Sequence, residues 1–238
     1  MALDQALAEA LPRGEGVLRF YAWDPPTISF GRNEPAAGRY DRSAAAAEGL
    51  GFVRRPTGGR AVLHDDEVTY CVVVPARALG GVRAAYRAIH EGLVAGLRSM
   101  GVPAAVADGG SVLAPDAGPC FQTPAPGEVV GGGRKLVGSA QARVGGVILQ
   151  HGSVILGGDQ GALTRLTGGD GGGTPPATVE DLLGRSVGRN EVVAALARAM
   201  RLALGGTWNE GDYRPTETSR ADRLEEDRYA RDTWTWRR

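Results

Sequence analysis

The chain has 238 residues, with 27 basic and 27 acidic side chains and a formal net charge of zero. Hydrophobic residues make up 42% and charged residues 23%, the balance of a globular protein able to bury a sizeable core, which excludes a disordered or strongly basic nucleic-acid-binding chain. Two cysteines make no disulfide framework, and with no signal peptide and no apolar run of about 18 residues the expectation is a cytoplasmic protein with reduced thiols.

Ala2–Leu11 reads as a short amphipathic helix with Leu3, Ala6, Leu7 and Ala10 on one face. Val17–Tyr21 and Thr27–Phe30 read as strands, the second ending at Gly31-Arg32-Asn33. Ser43 is placed to cap a helix over Ala44–Glu48 that Gly49 stops. Val68–Val74 is rich in β-branched residues and closed by Pro75, so it predicts a strand. Arg83–Met100 is the clearest helix, with Tyr86, Ile89, Leu93 and Leu97 spaced for one face. Val147–Leu156 predicts a strand interrupted at Gln150-His151-Gly152-Ser153, and the Gly/Pro-rich Gly157–Ala177 predicts a mobile loop. Glu191–Leu204 and the charged Glu217–Ala230 predict two more helices. No repeat and no linker divides the chain, so the expectation is one α/β (α+β) domain over residues 1–238, a mixed β-sheet packed by helices.

Three segments carry polar residues that packing would not require. Arg55-Pro56-Thr57-Gly58-Gly59-Arg60-Ala61 leads to His64, and adjacent glycines either form a simple turn or let backbone N–H groups approach a ligand. Flanking arginines would suit a carboxylate or phosphate, but neither a Walker loop nor a dinucleotide fingerprint is present. Cys120 sits between Asp116-Ala117-Gly118-Pro119 and Phe121-Gln122-Thr123-Pro124, loop chemistry that suits an accessible thiol. Cys71 falls inside the Val68–Val74 run and is expected in the core.

The third segment runs from Lys135 to Gly138-Ser139-Ala140-Gln141. Lys135 is the only lysine in the chain, the other basic residues being arginine. Unlike arginine, a lysine can exchange a proton when partly desolvated, and near a thiol it favours the thiolate. Small residues just after a strand would let amides hold a developing oxyanion. Of the histidines, His90 is mid-helix and expected to be structural, whereas His64 and His151 are expected to line a pocket; no metal-binding spacing occurs.

RRPTGGRAVLHDDEVTY and GRKLVGSAQARVGGVILQHGSVIL resemble the two signatures of the biotin/lipoate protein ligase and octanoyltransferase superfamily. MALDQALAEA, LRFYAWDPPTISFGR and EDRYARDTWTWRR are similar to its ends, so the resemblance spans nearly the whole chain. A loop cysteine followed by Phe, before the lysine, resembles the LipM-type octanoyltransferase branch, whereas Asn33-Glu34 is nearer the ligase pattern. The resemblance implies a biotin/lipoate ligase-like fold and octanoyl transfer in lipoate biosynthesis. The donor would be octanoyl acyl carrier protein, and the acceptor a lysine of an apo lipoyl domain or of glycine cleavage H protein. Cys120 would carry the acyl group as a thioester and Lys135 would manage the protons. Amides near Gly138, Ser139 and Ala140 would face the oxyanion, while Arg55, Thr57, Gly58, Gly59, Arg60, Ala61 and His64, with His151 and Gly152, would shape the acyl pocket. No cofactor or metal is implied, and no nucleic acid or membrane as partner; ATP with Mg would enter only for a lipoate ligase. Further alternatives are an amidotransferase between carrier proteins and a non-catalytic carrier-binding module.

Overall fold

The computed structural model describes residues 1–108, 127–168 and 174–238. Two sheets position the site. The larger has six strands in the order β1 (Val17–Tyr21), β5 (Glu67–Pro75), β9 (Val147–Ile155), β8 (Arg134–Val144), β7 (Val129–Gly131) and β6 (Ala104–Val106), each neighbouring pair antiparallel. The smaller is mixed: β2 (Thr27–Phe30) runs parallel to β3 (Gly51–Arg54) and antiparallel to β4 (Val62–His64).

Alternation along the central strands sorts their side chains. Val68, Tyr70, Val72 and Val74 point to the main core, which α3 (Val82–Ser99) and α6 (Arg189–Leu204) cover. On α3 the i, i+4 series Ala85, Ile89, Leu93 and Leu97 is buried, and each such Leu or Ile contributes about 1.5–3 kcal/mol by leaving water. Gly96 lets α6 approach closely, since a Cβ there would stand 3.0 Å from Leu196 Cα. Cys71 and Val73 point to the other face, against Leu7 and Ala8 of α1 (Ala2–Ala10), and α7 (Pro215–Leu224) packs over α1. Among the described residues no helix is long and apolar enough to cross a membrane.

A β-bulge changes the parity of β8. Val129 pairs with Val137, but Val130 pairs with Lys135, leaving Leu136 as the extra residue. Leu136 and Val137, adjacent in sequence, therefore both enter the main core. Lys135 shares the face of its partner Val130 instead, the face to which Gly138, Ser153 and Thr69 point in one cross-strand row.

The mixed α/β class expected from the sequence is the one observed. Several local expectations are corrected. Asp41, not Ser43, caps α2 (Arg42–Ala47), because its carboxylate accepts from both Ser43 N and Ala44 N at 2.9 Å. β9 is not interrupted at Gln150–Ser153, whose backbone stays paired with β5 and β8 throughout. The Gly157–Ala177 segment is not a plain loop, for it contains α4 (Ala162–Leu166), whose Leu163 and Leu166 pack on the small sheet's core. Gly138-Ser139-Ala140 lies within β8 rather than after a strand. The charged C-terminal helix changes at Glu225–Tyr229 into a π-helical turn. Cys120 lies outside the described residues.

Candidate active site

A small cleft lies between the two sheets. Its floor is Thr69, Gly138, Ala140, His151, Gly152 and Ser153, and its roof is Ser29, Arg55, Gly59, Val62 and His64. The roof depends on close backbone contact. Gly59 has φ +91°, and its carbonyl oxygen lies 1.8 Å from where a Cβ on Gly31 would stand, so both positions require glycine.

Arg55 holds the roof in shape. Its guanidinium donates to Ser29 O, Gly58 O and Arg60 O at 2.7–3.1 Å and to Ser29 Oγ at 3.0 Å. The arginine that the sequence offered to an anionic ligand thus braces the glycine loop. Ala61 N donates to the buried Glu34 carboxylate, which also accepts from Gly31 N, both at 2.9 Å. Arg60 is buried beside them.

Two histidines join roof to floor. His151 Nδ1 is 3.0 Å from Asp4 Oδ2, and its Nε2 is 2.7 Å from Thr57 Oγ1. Burial opposes ionisation of Asp4, but the His151 hydrogen bond, the chain's amino terminus and the Arg19 guanidinium outweigh it and hold the carboxyl far below its usual range. Burial likewise lowers His151. The ring is therefore neutral, donates from Nδ1 to the carboxylate and accepts from the Thr57 hydroxyl. On the roof side, His64 Nδ1 lies 3.1 Å from Glu67 Oε1 and Nε2 lies 2.8 Å from Ser29 Oγ, with Trp23 stacked on the ring at 4.4 Å. Thr69 Oγ1 donates to Glu67 and accepts from Trp23 Nε1 at 2.9 Å.

Gly152 acts by lacking a side chain. Tyr70 of β5 reaches across it to Ser139 of β8, Oη to Oγ 2.7 Å, and a Cβ on Gly152 would stand 2.6 Å from the Tyr70 ring. Ser139 donates onward to His90 Nε2 at 2.9 Å, because His90 Nδ1 must donate to Gly127 O at 2.5 Å. His90 is thus bonded to a residue of the cleft wall, a tie that its place in the middle of α3 did not disclose. Burial is the main influence on its ring and pushes the pKa down to about 4. Because this folded value lies below the unfolded one, the native state refuses a proton that the unfolded chain binds. The His90 contribution is complete above about pH 6.5 and declines as pH falls towards about 4, by up to about 3 kcal/mol. Urea midpoints at about pH 7 and about pH 4.5 are expected to show this loss, and His90→Gln should flatten it.

Lys135 is 1% exposed, and its Nζ donates to Glu128 Oε1 at 2.6 Å. It does not line the described cleft, but the bulge turns it to the cleft face of the sheet, three residues from Gly138. From Gly138 onward β8 pairs only with β9 among the described residues, so alternate amides on its other edge have no strand partner.

The structure brings Arg55, Gly59, His64, Gly138, Ser139, Ala140, His151 and Gly152 to one cleft, with Thr57, Gly58, Arg60 and Ala61 in the loop behind its roof. Sequence reasoning missed Asp4, Ser29, Glu67, Thr69 and Ser153. Only Asp4 carried a signal, as a carboxylate on the apolar side of a short helix.

The lipoyl protein ligase A/B catalytic domain matches residues 1–201. Octanoyltransferase LipM of Kyrpidia tusciae is 43% identical over 258 residues, which cover 100% of this chain and 94% of that one. The chain belongs to this family, among the LipM octanoyltransferases. It is accordingly an acyltransferase of lipoate biosynthesis. LipM of Symbiobacterium thermophilum is 41% identical over 257 residues, covering 100% and 93% of the two chains. Among solved structures, lipoate-protein ligase A bound with ATP superposes with TM-score 0.84 at 25% identity, over 99% of this chain and 92% of its own.

Proposed function

We propose that this LipM-family chain transfers the octanoyl group in two steps through Cys120. The Cys120 thiolate adds to the thioester carbonyl of octanoyl acyl carrier protein, and collapse of the adduct expels the carrier's thiolate. The ε-amine of a lysine in a lipoyl domain, or in glycine cleavage H protein, then attacks the octanoyl-enzyme. The amide forms, the amine loses a proton and the Cys120 thiolate is released. Lys135 favours the Cys120 thiolate and exchanges protons with the leaving and entering groups. Amides of the Gly138–Ala140 stretch face the developing oxyanion, and the Arg55–His64 roof with His151 holds the alkyl chain. A thioester donor already carries the activation that ATP gives a ligase, so this reaction calls for no cofactor or metal.

The observation that carries the reading is the placement of Lys135. The sole lysine of the chain is buried on the cleft face of β8, three residues before Gly138 of the cleft floor. Mixing the protein with octanoyl acyl carrier protein in the absence of ATP should add one octanoyl group to its intact mass, removable by hydroxylamine. No adduct, with turnover only from ATP and free lipoate, would establish a ligase instead.

A further inference from the structure

Among the described residues, the side-chain hydroxyls of the cleft wall and the His151 ring have partners, with one exception. Ser29 Oγ is held by His64 and Arg55, Thr69 Oγ1 by Glu67 and Trp23, and Ser139 Oγ by Tyr70 and His90. Both His151 nitrogens are taken by Asp4 and Thr57. Ser153 lines the same cleft, and its buried Oγ has no hydrogen-bond partner among the described residues. A buried hydroxyl without a partner is costly, so its retention at a binding surface points to a partner brought by the ligand.

An octanoyl chain offers little choice of partner. Seven of its eight carbons bear only hydrogen, and the carbonyl oxygen is its single hydrogen-bond acceptor. Ser153 also shares the cleft face of the sheet with Lys135. It pairs across the sheet with Gly138, which has no side chain to fill the space above it, and Lys135 lies on the same face three residues along β8.

We propose that Ser153 Oγ–H donates to the acyl carbonyl oxygen and acts as a catalytic oxyanion donor, an assignment that rests on the acyl-transfer reading above. As Sγ adds to the carbonyl carbon, the C=O π pair moves onto oxygen and the Ser153 bond shortens and strengthens; no proton leaves the hydroxyl. Collapse returns the pair and expels the thiolate, and the same donor serves the attack by the acceptor amine. A donor aimed at charge that develops only in the transition state raises kcat more than it lowers KM.

The test is steady-state transfer by wild type, Ser153→Ala and Ser153→Thr, with hexanoyl, octanoyl and decanoyl acyl carrier protein as donors. Ser153→Ala is expected to lower kcat by about 10²-fold with KM little changed, and by the same factor for all three chains, because the carbonyl does not move with chain length. Ser153→Thr keeps the hydroxyl and should restore most of the rate. The thermal midpoint of Ser153→Ala should equal or exceed that of wild type, since the variant removes an unsatisfied buried group. An active wild type matched by Ser153→Ala overturns the assignment of Ser153 alone. So does a loss that varies with chain length, which would place the hydroxyl along the alkyl chain. A wild type that turns over none of the donors overturns the transfer reading and this inference with it.

Discussion

Cys120→Ala is expected to abolish octanoyl transfer, by at least about 10⁴-fold, and to remove the thioester adduct while the fold persists. The chain contains two thiols, and the structure disqualifies one of them. Cys71 is 0% exposed, packed between β5 and α1, and burial pushes its thiol well above the ordinary range. It therefore supplies no thiolate at neutral pH and has no path to a carrier protein. Cys71→Ala should keep turnover and adduct, subject only to the stability lost with a small core residue. An adduct that persists in Cys120→Ala and vanishes in Cys71→Ala would reverse the assignment.

Lys135→Arg is expected to lower kcat by about 10²–10⁴-fold despite keeping the charge. The ammonium sits in a buried place with Glu128 Oε1 at 2.6 Å, and a planar guanidinium is both larger and differently hydrated. More importantly, arginine cannot give up a proton near neutrality, so the limb of the pH–rate profile that depends on proton exchange should disappear. Single-turnover acylation and deacylation across pH would show which step suffers. A wild-type profile with a uniformly lower rate would leave Lys135 with a charge role and remove it from proton transfer.

The glycine loop and the small-residue stretch after Lys135 were legible because their composition is local. The sequence nevertheless left Gly58-Gly59 open to a simple turn and set Gly138-Ser139-Ala140 after a strand rather than within one. The partners that fix these segments were not legible, because Asp4, Ser29 and Glu67 meet His151, Arg55 and His64 only through tertiary contact. β9 looked broken because Gln150 and Gly152 alternate with His151 and Ser153, yet this is strand alternation with polar residues on both faces. The same rule applied to Lys135 would have put it in the core beside Val137, since only the bulge at Leu136 separates their faces. The cap of α2 was misread because Asp41 and Ser43 are both good caps, and only backbone geometry chooses between them.

The hydrogen-bonded string from Asp4 through His151 to Thr57 spans sequence separations of 147 and 94 residues. The cleft therefore exists only once the first helix, the glycine loop and the ninth strand have all docked, and closing such long loops makes them late events in folding. The glycine loop and the first sheet strands precede β9 in the chain by many residues, so the floor of the cleft is completed by a segment made long after its roof.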